Sequence, residues 1–244
     1  MKGTLVRVAI LEEGILMIKD YIIKKTNRET LFYKCLDQVV FNLLKIKAKI
    51  SFKVNGSSEA DAFLKQSIRR VHLGCGSTHF KGFLNTDAIG DIPVDITKRL
   101  PFNTSSIDLL YSSNLIEHIY LVEFKKFLKE SLRVLKDGGE MIIVTPSISL
   151  MCKSDISKAM DRFDKIHSNL HSKTFSEYMN FTIHLGFGHK YLYDSDLIVF
   201  LAEQTGFKGA KVIDYKDIKI PEIVEAIERE KDTVNIAETI LLRK

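Results

Sequence analysis

RRVHLGCGSTHFKGFLNTD, Arg69–Asp87, decides how this 244-residue chain is read. A short apolar run, Val71–Leu73, ends at Gly74, and a second glycine, Gly76, follows two positions on. Gly74 lets the chain turn sharply as it leaves a strand, and Gly76 lets a ligand approach the backbone. The amides just beyond suit an anionic or polar group. Phe83–Thr86 reads as a second strand with Asp87 at its end, where a carboxylate accepts hydrogen bonds from a ribose diol. The full dinucleotide fingerprint fails. His79 stands where a third glycine is expected, and Asp87 follows Gly74 by 13 residues, against about 20 in the standard unit. That crossover has room for a turn or so of helix.

The rhythm continues downstream. Asp91–Thr97 alternates, with Ile92, Val94 and Ile96 on one side, and predicts a third strand. Ile107–Tyr111 is a buried-type strand. Leu121–Leu135 is an amphipathic helix with Phe124, Phe127, Leu128, Leu132 and Leu135 on its apolar face, stopped by Asp137, Gly138 and Gly139. Met141–Thr145 is the next strand, ended by Pro146. Leu197–Thr205 reads as a helix closed by Gly206, Lys211–Tyr215 as a strand, Pro221–Glu230 as a charged helix and Asn235–Leu242 as a last strand. Strand, helix and strand at this spacing predict a parallel α/β layout. Such sheets bind ligands beyond the carboxyl ends of their strands, which puts Gly74–Gly76, Asp87, Ser112–Ser113 and Thr145–Ser147 on one rim.

Residues 1–66 read as an N-terminal helical extension, clearest at Leu31, Cys35, Val39, Leu43 and Ile46, and 67–244 as the main domain with a lid-like excursion at 147–190. The net charge is +5, but residues 1–70 carry 14 Lys or Arg against 7 Asp or Glu. This basic end permits weak peripheral contact with a membrane surface. No aromatic-and-basic alternation or nucleic-acid motif is present, so nucleic acid is not an expected partner. No secretory leader or apolar stretch of spanning length appears, and three widely spaced cysteines argue against a disulfide framework or a zinc cluster. The expected compartment is the cytoplasm.

The segments VHLGCGSTHFKGFLNTD, VDITKRLPFNTSSIDLLYSSNLIEHI and FLKESLRVLKDGGEMIIVTP together resemble the class I S-adenosylmethionine-dependent methyltransferases. The tail FGHKYLYDSDLIVFLAEQTGF is similar to small methyltransferases associated with cell-surface polysaccharide biosynthesis. The resemblance implies a Rossmann-like three-layer sandwich on a seven-stranded, mostly parallel sheet of order 3-2-1-4-5-7-6. Its last strand is antiparallel and inserted, the place of Asn235–Leu242. The implied cofactor is S-adenosyl-L-methionine. Gly74, Cys75 and Gly76 would run beside its methionine and ribose, Asp87 would bind the ribose hydroxyls, and Asp95 and Ile96 would meet the adenine. Ser112, Ser113 and Asn114 would line the sulfonium side, and Glu117 would face cofactor or acceptor. His72 departs from the family pattern, standing where many members have an acid.

The implied reaction is methyl transfer to a small-molecule or glycan-linked acceptor, with a sugar hydroxyl favoured by the family association. His118 and His189 are the candidate general bases, since imidazole takes a proton near neutral pH. Tyr191 and Tyr193 are candidates to shape the acceptor pocket. An NAD-dependent oxidoreductase and a non-catalytic cofactor-binding or scaffolding protein are the alternatives. His167, His171, His184 and His189, with Asp164 near, invite a metal, but their spacings of 4, 13 and 5 lack the tight pairing of a closed structural site, and no metal is expected. The accepting atom and the oligomeric state are not encoded legibly.

Overall fold

The computed structural model describes residues 38–46, 63, 65–89, 92–153, 174–180, 188–231 and 236–244. Strands β1 (Arg70–Leu73), β2 (Phe83–Thr86), β3 (Ile107–Ser113), β4 (Leu135–Pro146), β5 (Gly209–Val212) and β6 (Ala237–Arg243) form one sheet of order β2-β1-β3-β4-β6-β5. The pairs β1–β2, β1–β3 and β3–β4 are parallel, and β6 runs antiparallel between β4 and β5. The helices are α1 (38–46), α2 (Leu121–Val134), α3 (Ile148–Lys153), α4 (Phe175–Asn180), α5 (Ser195–Thr205) and α6 (Pro221–Lys231).

Period-two alternation divides the strands between two apolar layers. Val71, Leu73, Leu84, Leu110, Met141, Ile143, Ile240 and Leu242 pack with Phe124, Phe127 and Leu128 of α2 and Ile198, Leu201 and Ala202 of α5. The opposite face carries Phe83, Leu109, Tyr111, Ile142 and Val144 against Ile223, Ala226 and Ile227 of α6. The strands and helices α2, α5 and α6 bury their apolar faces in these two layers, so the described residues form a mixed, mostly parallel three-layer α/β sandwich.

Six strands, not seven, are present among the described residues. The predicted third strand at Asp91–Thr97 is reduced to a single parallel bridge between Asp87 and Pro93. Asp87 N–H donates to the Ile92 carbonyl at 3.2 Å and Val94 N–H to the Asp87 carbonyl at 3.0 Å. This arrangement does not use the N–H that Pro93 lacks. The chain then turns, because Lys98 N–H donates to the Asp95 carbonyl and the Asp95 carboxylate accepts from Thr97 N–H and Oγ1. Ile92, Val94 and Ile96 are nonetheless buried in the α2-side layer, as their alternation predicts.

Two boundaries differ for local reasons. Helix α2 ends at Val134, and Leu135 already pairs with Ile107 as the first residue of β4, so the Asp137–Gly139 kink lies within the strand rather than before it. Strand β5 runs Gly209–Val212, and Asp214 turns the chain beyond it by accepting from Lys216 N–H. Of the 1–66 extension, helix α1 is seen, but the expected stripe does not form its buried face: Val39, Leu43 and Ile46 are exposed, and Val40 is the buried residue. The other elements expected there, except at Phe63, lie outside the described residues.

Candidate functional site

The site is built at the carboxyl ends of β1, β2, β3 and β4. Directly after β1, Gly74 and Gly76 take left-handed φ values of +68° and +50°, a region that disfavours any side chain. A Cβ on Gly74 would come within 2.6 Å of Leu115 Cδ1, whereas a Cβ on Gly76 would meet open space. The left-handed backbone is what calls for the first glycine, with Leu115 having to shift for any added Cβ, and the second faces a gap. Gly76 N–H donates to Asp87 Oδ2 at 3.1 Å, and Ile89 N–H to Asp87 Oδ1 at 3.1 Å. The carboxylate ties the glycine turn to the end of β2, and each oxygen keeps a further lone pair. Cys75 is buried, and its amide donates to the Thr86 carbonyl at 2.9 Å. Among the described residues no helix fills the 74–82 crossover. Phe80 closes the layer instead, stacking on His72 with ring centroids 4.5 Å apart.

His72, in the position of the missing acid, is therefore a core residue. Its ring lies between Phe80 and Tyr111. Burial pushes its pKa down to about 4, against a weaker upward pull from a hydrogen bond with Asn85.

Strand β3 delivers Ser112, Ser113 and Asn114 to the same rim. Ser112 is buried, and its Oγ has no hydrogen-bond partner among the described residues. An unmade buried hydroxyl bond costs about 1–3 kcal/mol, so this group suits a polar ligand. Asn114 takes φ +47°, and its N–H donates to the Val144 carbonyl, a conformation asparagine tolerates better than most residues. Gly74–Gly76, Asp87 and Ser112 thus stand at the carboxyl ends of the three adjacent strands β1, β2 and β3.

The adenine-side candidates are less free. Asp95 accepts from Lys45 Nζ at 2.5 Å through Oδ2 and from Thr97 through Oδ1. Burial pushes its carboxyl up, but the hydrogen bonds from Lys45 and Thr97, with the lysine charge, leave it below the usual range. The Ile96 side chain belongs to the core, so only its backbone is available to a ligand.

A second group gathers across the rim. A 3-10 turn, Ile116–His118, follows β3, and the chain returning from the excursion comes back beside it. Lys190 N–H donates to the Glu117 carbonyl at 2.7 Å, and Ser147 pairs with Tyr193. Glu117 is 1% exposed and accepts from Thr145 Oγ1 at 3.1 Å. His118 and His189 meet edge to face at 5.0 Å. One ligand atom from each of Glu117, His118 and His189 lies within 4.8 Å of the others. Burial lowers both imidazoles, His189 to about 4, with the neighbouring His118 adding to the effect.

The two histidines read as separate candidates in sequence are thus one cluster, and Glu117 stands with them. Tyr193 is fully buried against Phe124 and hydrogen-bonds the Ile119 carbonyl, so it supports the core rather than lining a pocket. His167, His171 and His184 lie outside the described residues. Sequence reading missed Lys45 and Gly188. Nothing in the basic run around Lys45 singles it out. The Gly188–His189 pair, by contrast, is marked in sequence by the glycine itself, which the structure places at φ +67°.

Residues 57–143 match the family described as "Methyltransferase domain", less than half of the chain. Over that stretch the chain is similar to methyltransferase domains. No curated protein matches significantly. Among solved structures, similarity is found to a SAM-dependent methyltransferase from Archaeoglobus fulgidus, at 15% identity over 84% of this chain and 94% of that one, with a TM-score of 0.45. A Mesorhizobium loti S-adenosylmethionine-dependent methyltransferase is 14% identical over 78% and 99%, with a TM-score of 0.42. Phosphoethanolamine N-methyltransferase 2 of Haemonchus contortus is 13% identical over 82% and 56%, also at 0.42. Among the described residues no helix is long and apolar enough to cross a membrane.

Proposed function

We propose that this protein is an S-adenosylmethionine-dependent methyltransferase that acts on a small-molecule or glycan-linked acceptor, with a sugar hydroxyl as the accepting group. S-adenosylmethionine, when bound, supplies a methyl group already activated on a positive sulfur. The chain's residues need only hold the two reactants in line and keep water out. The observation that carries this reading is the joint placement of Gly74, Gly76, Asp87 and Ser112 at one end of the sheet. Gly76 leaves room for the ligand, Asp87 accepts from the ribose hydroxyls and Ser112 Oγ meets the polar end. Ser113, Asn114 and the Cys75 backbone complete the wall, and Asp95 and Ile96 bound the adenine side.

His118 and His189 are the acceptor-facing groups. They lie across the rim from the cradle, where the chain returns from the excursion 147–190; the lid expected there falls mostly outside the described residues. A carbohydrate hydroxyl is favoured by the tail sequence FGHKYLYDSDLIVFLAEQTGF, of the kind seen in polysaccharide-associated methyltransferases. The same reading assigns the protein to the cytoplasm, with the basic 1–66 extension in weak contact with a membrane surface and no nucleic-acid partner.

Calorimetry with S-adenosylmethionine and S-adenosylhomocysteine, followed by product detection over a panel of sugars and sugar nucleotides, tests it. Asp87→Ala is expected to weaken cofactor binding about tenfold or more, the loss of one charge-assisted hydrogen bond pair. Binding unchanged in that variant, or methylation confined to amines, would remove the cradle or the hydroxyl assignment respectively.

A further inference from the structure

We infer that Glu117, His118 and His189 form a site for one divalent cation of the zinc type, placed to hold an oxygen of the acceptor. The cation site stands on its own geometry, and only the acceptor's part in it rests on the methyl-transfer reading above.

Two imidazoles and a carboxylate are the donor set that borderline divalent ions take. Here they come from two chain segments 71 residues apart, His118 and His189, that the fold brings into ring contact. Their ligand atoms lie within 4.8 Å of one another. Donors around one zinc ion are separated by about 3.4 Å, so side-chain adjustment of roughly an ångström closes the set. Three protein ligands leave a tetrahedral ion one open position, the arrangement of sites that act on a substrate rather than of closed structural sites.

The surroundings orient these donors. Thr145 Oγ1 donates to Glu117 Oε2 at 3.1 Å. The His118 ring hydrogen-bonds the backbone of Gly188 in the sense that favours a protonated ring nitrogen, which leaves its other nitrogen as a donor to a cation. The backbone bond from Lys190 to the Glu117 carbonyl fixes the returning chain beside the 3-10 turn. Glu117 and His189 are buried and His118 is partly covered, so the ligands are held in place rather than mobile on the surface. This set differs from the histidine series 167, 171, 184 and 189 that linear spacing brings to mind.

The test uses the full chain, stripped with a chelator and titrated with Zn²⁺ alone against a chromogenic competitor. S-adenosylmethionine binding is measured separately by calorimetry on the same preparation. One zinc ion per chain is expected, with a rise in thermal midpoint. Glu117→Gln, His118→Ala and His189→Ala are each expected to weaken zinc at least tenfold while urea unfolding stays cooperative. Glu117→Gln keeps the shape and the Thr145 contact, so it guards against misfolding of the alanine variants. Cofactor binding without stoichiometric zinc overturns the cation site and leaves the methyltransferase reading intact. Zinc bound equally by wild type and the histidine variants also overturns it. Zinc bound as expected without cofactor binding supports the site while the methyl-transfer reading falls.

Discussion

At the residue scale the glycine turn makes the sharpest demand. Gly74→Ala adds a methyl group where Leu115 already stands and forces a side chain into a left-handed backbone. It is expected to cost about 1–3 kcal/mol and to lower cofactor affinity, read by urea denaturation and calorimetry together. His72 makes a different prediction. Its ordinary pKa is 6.5, and in the fold it is held to about 4 by burial, opposed by the Asn85 hydrogen bond, with His79 pressing down and Asp87 up. Between those values the unfolded chain binds the proton and the native chain does not. Stability from this group is therefore complete above pH 6.5 and declines as pH falls towards 4, by about 3 kcal/mol at most. His72→Phe retains the stacking on Phe80 and should flatten part of that slope; an unchanged slope in denaturation curves from pH 7.5 to 4.5 would contradict the assignment. His72 also marks a limit of sequence reading. Its position showed that an acid was missing, but the ring stacking that replaces it depends on Phe80 and Tyr111 meeting across two strands.

At the scale of elements, helix termini carry much of the positioning. Asp194 caps α5 by accepting from Leu197 N–H at 2.9 Å and also accepts from Ser149 Oγ of α3. Asp194→Ala should cost about 1–2 kcal/mol, seen as a lowered urea midpoint at unchanged m-value. Helix α1 reaches the main domain through Lys45 and Asp95 of the turn after the Asp87–Pro93 bridge, a partly buried pair. Lys45→Ala is expected to speed protease cleavage around α1, and equal cleavage rates would show that other contacts hold it. Strand and helix identities downstream of Arg70 were legible because their apolar periods are unbroken. The third strand was not. Ile92, Val94 and Ile96 alternate properly, but alternation reports burial rather than pairing, and Pro93 with the Asp95–Thr97 turn allows one bridge only.

For the whole molecule, sheet order explains why the site needs more than the stretch matched at 57–143. Strand β4 is flanked on its far side by β6, whose residues Ala237–Arg243 come last in the chain, and α5 covers the layer beneath. A fragment ending at Ile143 leaves that edge and face bare, so it is expected to lack cooperative unfolding by circular dichroism, while the full chain has it. The site was legible in part for the same reason. Gly74, Gly76 and Asp87 are close in sequence, whereas the meeting of His118 with His189 depends on where a long excursion returns. That return has a consequence of its own. The excursion leaves the sheet at Ser147 and rejoins it at Tyr193, and these two residues are bridged side by side. Since both feet stand together, the intervening residues can be lengthened, shortened or exchanged at small closure entropy. Under the acceptor-facing role proposed for His118 and His189, transplanting this one insert between related chains is expected to alter acceptor choice while S-adenosylmethionine affinity, read by calorimetry, is unchanged.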